Sequence, residues 1–435
     1  MNTNYMSYLM REINKEESAR YHENYLHALQ MDLSELTAIL QTQTAKQLHT
    51  DTYRLLQIPT CGCTYQCQNG EIIGCSMCNL HKDSYRIYAC MRALRERDEL
   101  GYCNLIKELC AKSRGQQQKF SIHEFLFAHN ALHEFEVPES LLKELLYADC
   151  ANHMPRPMVY EFETRADTIT ETRLQMLKKW TGNRRVFIRI GGETANEVLR
   201  NSWLNKGITN VAIKNAVELC HAYGFLVSVN ILLGIPGLTE DLSLKCVYET
   251  IAWLDQIGAD QMVCSILSRK KHTLQHYIYQ ALHAHSSLVR CGISQGQHTA
   301  LPWLFTAVRL LNWMKKDYRP RAQFTFGQFE PRYFEGNVVQ SYNSKHQCIC
   351  NKRIWKAIQE IAFSGEWDEI YDLTNFCLQD PCYRQYEELL TKQSQINSVH
   401  QNLMMLEVPL SQTLYKENWI FYHNLFKTEL QSLGV

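Results

Sequence analysis

The chain has 435 residues, 45% of them hydrophobic, enough for one large α/β domain with appended segments. Its 45 Lys and Arg balance 45 Asp and Glu, which excludes a global basic footprint of the kind that drives non-specific nucleic-acid binding and leaves only local patches. The N-terminus lacks a charged segment followed by an apolar one, and nowhere is there an apolar run of about eighteen residues; the expectation is a soluble, cytoplasmic chain with no membrane partner, whose 17 cysteines are reduced thiols or metal ligands rather than disulfides.

Residues 1–50 read as an N-terminal helical extension, with Leu26, Leu29, Leu33, Leu36 and Leu40 recurring at alternating three- and four-residue steps. A short strand over Tyr53 to Pro59 then delivers the chain to a loop holding Cys61, Cys63, Cys67, Cys75 and Cys78. That density asks for a metal. The spacing of Cys75 and Cys78 lets one turn of backbone present two thiolates, and a third can come from Cys63 or Cys67, since either intervening loop is long enough to close. Three ligands from one loop leave a four-iron cluster with one iron open to a small chelating molecule. A structural zinc normally takes a fourth protein ligand, usually from a second Cys-x-x-Cys pair, which this loop lacks.

A helix is expected from Ser84 to Lys112, followed by the polar turn Gly115-Gln-Gln-Gln118. Strand-like runs then fall at Lys119 to Ala128, Met158 to Glu163, Val186 to Ile190, Phe225 to Leu233 and Gln261 to Leu267, each separated by a helix-like stretch. With the strand before Cys61 they make about six βα units. The fold class is accordingly α/β: a partial (β/α)6 barrel over 51–285, with the N-terminal helical extension before it and a mostly helical extension over 286–435. In such sheets the chemistry sits at the strand C-terminal ends, where this chain offers the cysteine loop, His129 and Asn130, Glu163 and Arg165, Glu193 and Asn196, and the turn Gly234 to Glu240. Cys220, Cys246 and Cys264 lie in apolar runs and read as small core residues.

Beyond 285 the pattern changes. Ala300 to Lys315 predicts an amphipathic helix, and Arg319 to Gly327 a turn and a short strand. A second cysteine group follows: Cys348 and Cys350 beside His346, then Cys377 and Cys382 across an intervening helix at Lys352 to Ser364. Four cysteines there can hold a second iron–sulfur cluster or a zinc ion; Cys-x-Cys and Cys-x4-Cys are looser than usual zinc pairs, so free thiols on a helical cap are the bland alternative. In the helical tail from Glu387, Trp419, Phe421, Tyr422 and Phe426 read as a packing stripe rather than a base-stacking platform.

The cysteine loop after the first strand, together with Glu163-Thr-Arg-Ala-Asp167, Gly191-Gly-Glu-Thr-Ala-Asn196 and Gly234-Ile-Pro-Gly-Leu-Thr-Glu240, resembles the radical S-adenosylmethionine (SAM) superfamily. Thr60-Cys61-Gly62-Cys63-Thr64-Tyr65 and Gly74-Cys-Ser-Met-Cys78 are most similar to the branch holding the archaeosine-synthase radical SAM subunit and the elongator-type tRNA-modifying enzymes. The resemblance covers about residues 50–285. It implies a [4Fe-4S] cluster on Cys63, Cys75 and Cys78, with Cys67 the alternative first ligand because it preserves the branch's seven-residue gap to Cys75. It also implies cleavage of SAM to methionine and a 5′-deoxyadenosyl radical that abstracts a substrate hydrogen, in an oxygen-sensitive biosynthetic enzyme served by an electron donor such as flavodoxin or ferredoxin. The substrate it points to is a tRNA base, with a small metabolite or a peptide as the alternative.

For SAM, the resemblance implies contacts from Asn130, from Glu163 and Arg165 to the ribose or the methionine carboxylate, from Glu193, and from Gly234, Ile235, Pro236 and Gly237 packing on adenine. The bland readings are barrel-mouth salt bridges for the two glutamates and an ordinary βα turn for the glycines. Two departures stand out: Ala128-His-Asn-Ala131 replaces the Gly-containing turn that holds the SAM amino group in the family, and no acetyltransferase-like domain is recognisable after the barrel. The competing class is a zinc-stabilised, non-catalytic binding protein on the same α/β scaffold.

Overall fold

The computed structural model describes residues 4–43, 46–49, 53–79, 85–115, 123–151, 158–294, 300–327, 338–344, 347–364, 366 and 379–433. Ten strands are present among them: β1 (Lys46–His49), β2 (Tyr53–Gln57), β3 (Cys67–Gln68), β4 (Glu71–Ile72), β5 (His123–Phe127), β6 (Val159–Thr164), β7 (Arg185–Glu193), β8 (Leu226–Leu233), β9 (Gln261–Ile266) and β10 (Gln323–Phe326). The main sheet is a curled, open half-barrel in the order β1-β2-β5-β6-β7-β8-β9-β10. β1 is antiparallel to β2, and every other neighbouring pair is parallel. The six expected strands are β2 and β5 to β9. A seventh parallel strand, β10, comes from the short run at Arg319 to Gly327 and adds to the β9 edge.

Register separates the two faces of the sheet. Tyr160, Phe162, Val186, Ile188, Ile190, Val227 and Val229 are buried in the main core with Leu174, Leu177, Ile213, Val217 and Ile251 of the covering helices. The alternate positions face the lumen and carry the polar side chains Glu161, Glu163, Arg189, Ser228 and Asn230 beside the apolar Phe125 and Phe187. Glu161 there pairs with Arg189 at 2.5 Å and with His123 at 3.0 Å. An apolar outer face and a charged inner face are what a half-barrel needs if its lumen is to receive a polar molecule.

The crossover helices start where the sequence supplies a threonine. Thr170, Thr209, Thr239 and Thr273 each cap a helix, at Glu171–Thr181, Asn210–Ala222, Glu240–Gln256 and Leu274–Leu282, by accepting from the backbone N–H three residues on. The expected helix from Ser84 to Lys112 is two, Tyr85–Arg97 and Glu99–Gly115, parted at Asp98, whose carboxylate accepts from Gly101 N at 2.9 Å. The leucine pattern of the N-terminal extension likewise divides, into Lys15–Gln30 and Leu33–Gln41. Leu36 and Leu40 are buried, while Leu26 is 46% exposed.

The two ends of the chain meet. Tyr5, Met6, Leu9 and Met10 of the helix Tyr5–Ile13 share a second core with Trp203, Leu403, Leu406, Leu410, Phe426 and Leu430. Tyr5 lies 4.6 Å from Phe426, ring to ring, and Tyr422 stacks on Tyr415 at 3.5 Å. Of the expected aromatic stripe, Phe426 and Tyr422 pack in this way and Phe421 is 64% exposed. Cys220, Cys246 and Cys264 are buried core residues. No helix among the described residues is long and apolar enough to cross a membrane.

Candidate metal and cofactor site at the mouth of the half-barrel

The loop after β2 sends its five cysteines in different directions. Cys61 is buried in the main core, its N–H donating to Tyr102 Oη at 3.0 Å. Cys67 opens the β3–β4 hairpin with its side chain buried among Tyr21, Ile72, Tyr88 and Ala89. Cys63 lies between them, after Gly62 at φ 80°. Its sulfur accepts from Asn130 Nδ2 at 3.3 Å, and the same amide donates to Glu136 Oε1 at 2.6 Å. Glu136 also accepts from Thr64 N at 2.8 Å and Thr64 Oγ1 at 3.0 Å. A buried carboxylate and amide thus hold both the backbone after Cys63 and its sulfur. Burial lifts the Glu136 carboxyl to about 7 against these hydrogen bonds.

Cys75 and Cys78 follow the hairpin on one turn, with Cys78 N donating to Cys75 O at 3.2 Å. Ser76 between them pins the turn: its N–H donates to Leu204 O and its hydroxyl to Trp203 O, both at 2.9 Å, and its own carbonyl accepts from Leu274 N at 2.8 Å. Gly74 admits this path because a Cβ there would stand 2.5 Å from Gln66 Cα.

Two cations face the thiols, the buried Arg165 and the half-buried Lys206. Arg165 sits 3.8 Å over the Tyr65 ring and is held bidentately by Asp167, both bonds at 2.9 Å. Burial works against its charge, but Asp167 and the thiols of Cys75 and Cys63 more than offset this and raise its pKa. Lys206 pairs with Glu193 at 2.5 Å; burial opposes its charge too, and Glu193 and Cys75 outweigh it. Burial pushes the Cys63 thiol well up, with Glu136 and Cys75 adding to the effect and Arg165 and Asn130 opposing it. A thiophilic metal would displace that proton, and Arg165 and Lys206 would balance the thiolate charge. The donors present therefore fit a thiolate-bound cluster.

Glu193 makes the barrel-mouth ion pair at a left-handed position, φ 60°, on a bulge of β7. Gly191 before it leaves the space that Lys206 Nζ occupies, 2.3 Å from where a Cβ would be. Glu163 is raised to about 7 by burial, helped by Glu193 and Glu161 and opposed by Arg189 and Lys206. Asn130 is buried and turns its Nδ2 to Cys63 and Glu136. His129 is half-buried, and desolvation pushes its pKa down to about 4, with Tyr88 edge-on to its ring. Lys206 and Glu136 carry no motif in the sequence; only the glycine pair before Glu193 hints that a side chain from elsewhere must enter.

The Gly234-Ile-Pro-Gly237 turn is entirely buried. Pro236 O accepts from Trp203 Nε1 at 2.7 Å and Gly237 O from Asn402 Nδ2 at 2.8 Å. Both glycines need positive φ, and a Cβ on Gly237 would lie 2.2 Å from Leu406 Cδ1. Gly237→Ala is expected to cost roughly 2–4 kcal/mol through left-handed strain and overpacking, read as a lower urea midpoint.

In the second group Cys348, Cys350 and Cys382 come together with Asp380, a residue the sequence reading passed over. Cys377 and His346 lie outside the described residues.

No protein-family model matches the chain. Among solved structures it is similar to an archaeal Elp3 from Methanocaldococcus infernus (TM-score 0.38, 14% identity, covering 60% of this chain and 58% of that one) and to methylornithine synthase (TM-score 0.36, 13% identity, 80% and 96%). In sequence it is 23% identical over 253 residues to archaeosine synthase subunit beta of Methanosarcina acetivorans, spanning 57% of this chain and 64% of that one. To archaeosine synthase subunit beta of Thermococcus kodakarensis it is 22% identical over 326 residues, 74% of this chain and 87% of that protein.

Proposed function

We propose that the chain is a radical SAM enzyme that binds a [4Fe-4S] cluster through Cys63, Cys75 and Cys78. The observation that carries this reading is the sorting of the loop cysteines: Cys61 and Cys67 are turned into packing, whereas Cys63 and Cys75 share the mouth with Arg165 and Lys206, and Cys78 follows Cys75 on the same turn. Held by Cys63, Cys75 and Cys78, such a cluster would supply the one electron that cleavage of the SAM sulfonium requires. The protein's own part is to keep that chemistry in place. Glu136, Thr64 and Asn130 fix Cys63, Tyr65 and Asp167 orient Arg165 toward an anionic group, and the charged lumen of Glu161, Glu163 and Arg189 receives polar functions. The Gly234–Gly237 turn closes one side under Leu406 and Pro302.

The proposed substrate is a base of tRNA, by analogy with the two similar proteins named as archaeosine synthase subunits, with flavodoxin or ferredoxin as electron donor. Purified without oxygen, the protein should be brown and form 5′-deoxyadenosine from SAM when given a reductant. It should also retain tRNA on a filter, with affinity falling as salt rises. Colourless protein carrying only zinc would reject the enzyme in favour of a zinc-stabilised binding protein. Brown, SAM-cleaving protein that ignores tRNA even at low salt would keep the enzyme and move the substrate to a small metabolite or peptide.

A further inference from the structure

The second cysteine group has a geometry that discriminates between metals. Cys350 Sγ lies 3.1 Å and Cys382 Sγ 3.3 Å from Cys348 Sγ. The Asp380 carboxylate oxygens stand 3.9 and 4.0 Å from Cys348 Sγ. One donor atom from each of the four residues can be chosen so that all lie within 4.8 Å of one another. Ligands at about 2.3 Å from one zinc ion stand roughly 3.8 Å apart at tetrahedral angles, within the spread seen here. In a four-iron cluster each thiolate binds a different iron, so the sulfurs are separated by a metal–metal edge in addition to their own bonds, wider than the spread seen here.

From this convergence we propose that Cys348, Cys350, Cys382 and Asp380 form a mononuclear zinc site, independent of whatever the loop at the barrel mouth binds. The surroundings are built for it. Cys350 and Cys382 are buried. Asn343 Nδ2 donates to Cys350 Sγ at 3.2 Å, while Asn343 N donates to Asn351 Oδ1 and Asn343 Oδ1 accepts from Phe305 N; an amide fixed on three sides orients the thiolate it serves. Cys350 and Cys382 each fall in the first turn of a helix, Ile349–Ser364 and Pro381–Gln393, whose N-terminal dipoles favour anionic ligands. Asp380 Oδ1 caps the second helix by accepting from Cys382 N at 2.8 Å, which leaves the rest of the carboxylate for the ion.

The site joins two segments, Cys348 to Cys350 and Asp380 to Cys382, beside the helix Leu304–Lys316, whose Thr306 hydroxyl bonds Tyr386 Oη at 2.7 Å. Its role is structural: it fixes the helix Pro381–Gln393, whose Gln393 Oε1 accepts from Glu240 N at 2.9 Å, just beyond the Gly234–Gly237 turn.

The test uses the full-length Cys75→Ala/Cys78→Ala protein, so that iron at the barrel mouth does not enter the count. One zinc per chain with no accompanying iron is expected. Asp380→Asn keeps the helix cap but not the charge, and should weaken zinc at least tenfold in competition with a chromophoric chelator, whereas Cys377→Ser should leave it unchanged. About four irons per chain, no metal, or zinc lost with Cys377→Ser yet unaffected by Asp380→Asn would each overturn the proposal. If either added variant fails to fold, cobalt exchanged into the double variant decides: a tetrahedral ligand-field band with charge transfer from three thiolates supports it, and charge transfer from four rejects it.

Discussion

Cys63→Ala protein, reconstituted without oxygen, is expected to hold almost none of the iron at the barrel mouth and to form no 5′-deoxyadenosine, while Cys67→Ala protein keeps both. The difference lies in where the two sulfurs point. Cys63 receives Asn130 and faces the same cations as Cys75. Cys67 fills a small apolar cluster between the helices Lys15–Gln30 and Tyr85–Arg97, with Arg92 donating to its backbone carbonyl. Swinging the Cys67 side chain to the mouth would unpack Tyr21 and Tyr88. Cys67→Ala should instead cost roughly 1–2 kcal/mol of stability, the price of a small cavity. Iron retained in Cys63→Ala and lost in Cys67→Ala would reverse the choice of first ligand.

Glu240→Ala should lower the stability of the fold by roughly 2–4 kcal/mol, because several buried donors lose their acceptor together. The Glu240 carboxylate accepts from Trp303 N at 3.2 and 3.3 Å and from the Thr306 hydroxyl, at the start of the helix Leu304–Lys316. Its own N–H donates to Gln393 Oε1 at 2.9 Å, so one residue clamps the C-terminal extension to the barrel. Burial raises its pKa from 4.5 to about 8, against the pull of Thr306, Trp303 and Arg309. The folded state therefore holds a proton that the unfolded chain releases. This contribution to stability is complete below pH 4.5 and is lost as pH rises through about 8. Glu240→Gln, uncharged throughout, should lack that slope, so that its urea midpoint gains on the wild type between pH 5.5 and 8.5. Parallel curves for the two proteins would show that the carboxyl does not titrate there.

Much of the architecture was legible in order of residues alone. Six strand-like runs with helical stretches between them are enough to imply a parallel half-barrel, because parallel neighbours need long crossovers and these are helices that cover the apolar outer face. The threonines before four of the helices mark their starts, since capping is a contact within three residues. The cysteine spacing at Cys75 and Cys78 similarly reports a local turn. These features depend on neighbours along the chain, and the sequence by itself determined them.

The remainder depends on groups distant in sequence. Cys63 and Cys67 are both far enough from Cys75 for the loop to close, and the packing of Tyr21 and Tyr88 around Cys67 and the reach of Asn130 to Cys63 tell them apart. Lys206 meets Glu193 because a bulge in β7 and the bare Gly191 let it in. Asp380 joins Cys348 across 32 residues, since two helix starts are brought side by side on Phe305 and Tyr386. No periodicity encodes such meetings. They are fixed when the sheet curls and the chain ends close over it, and there the tertiary structure alone decided which thiols, cations and carboxylates share a site.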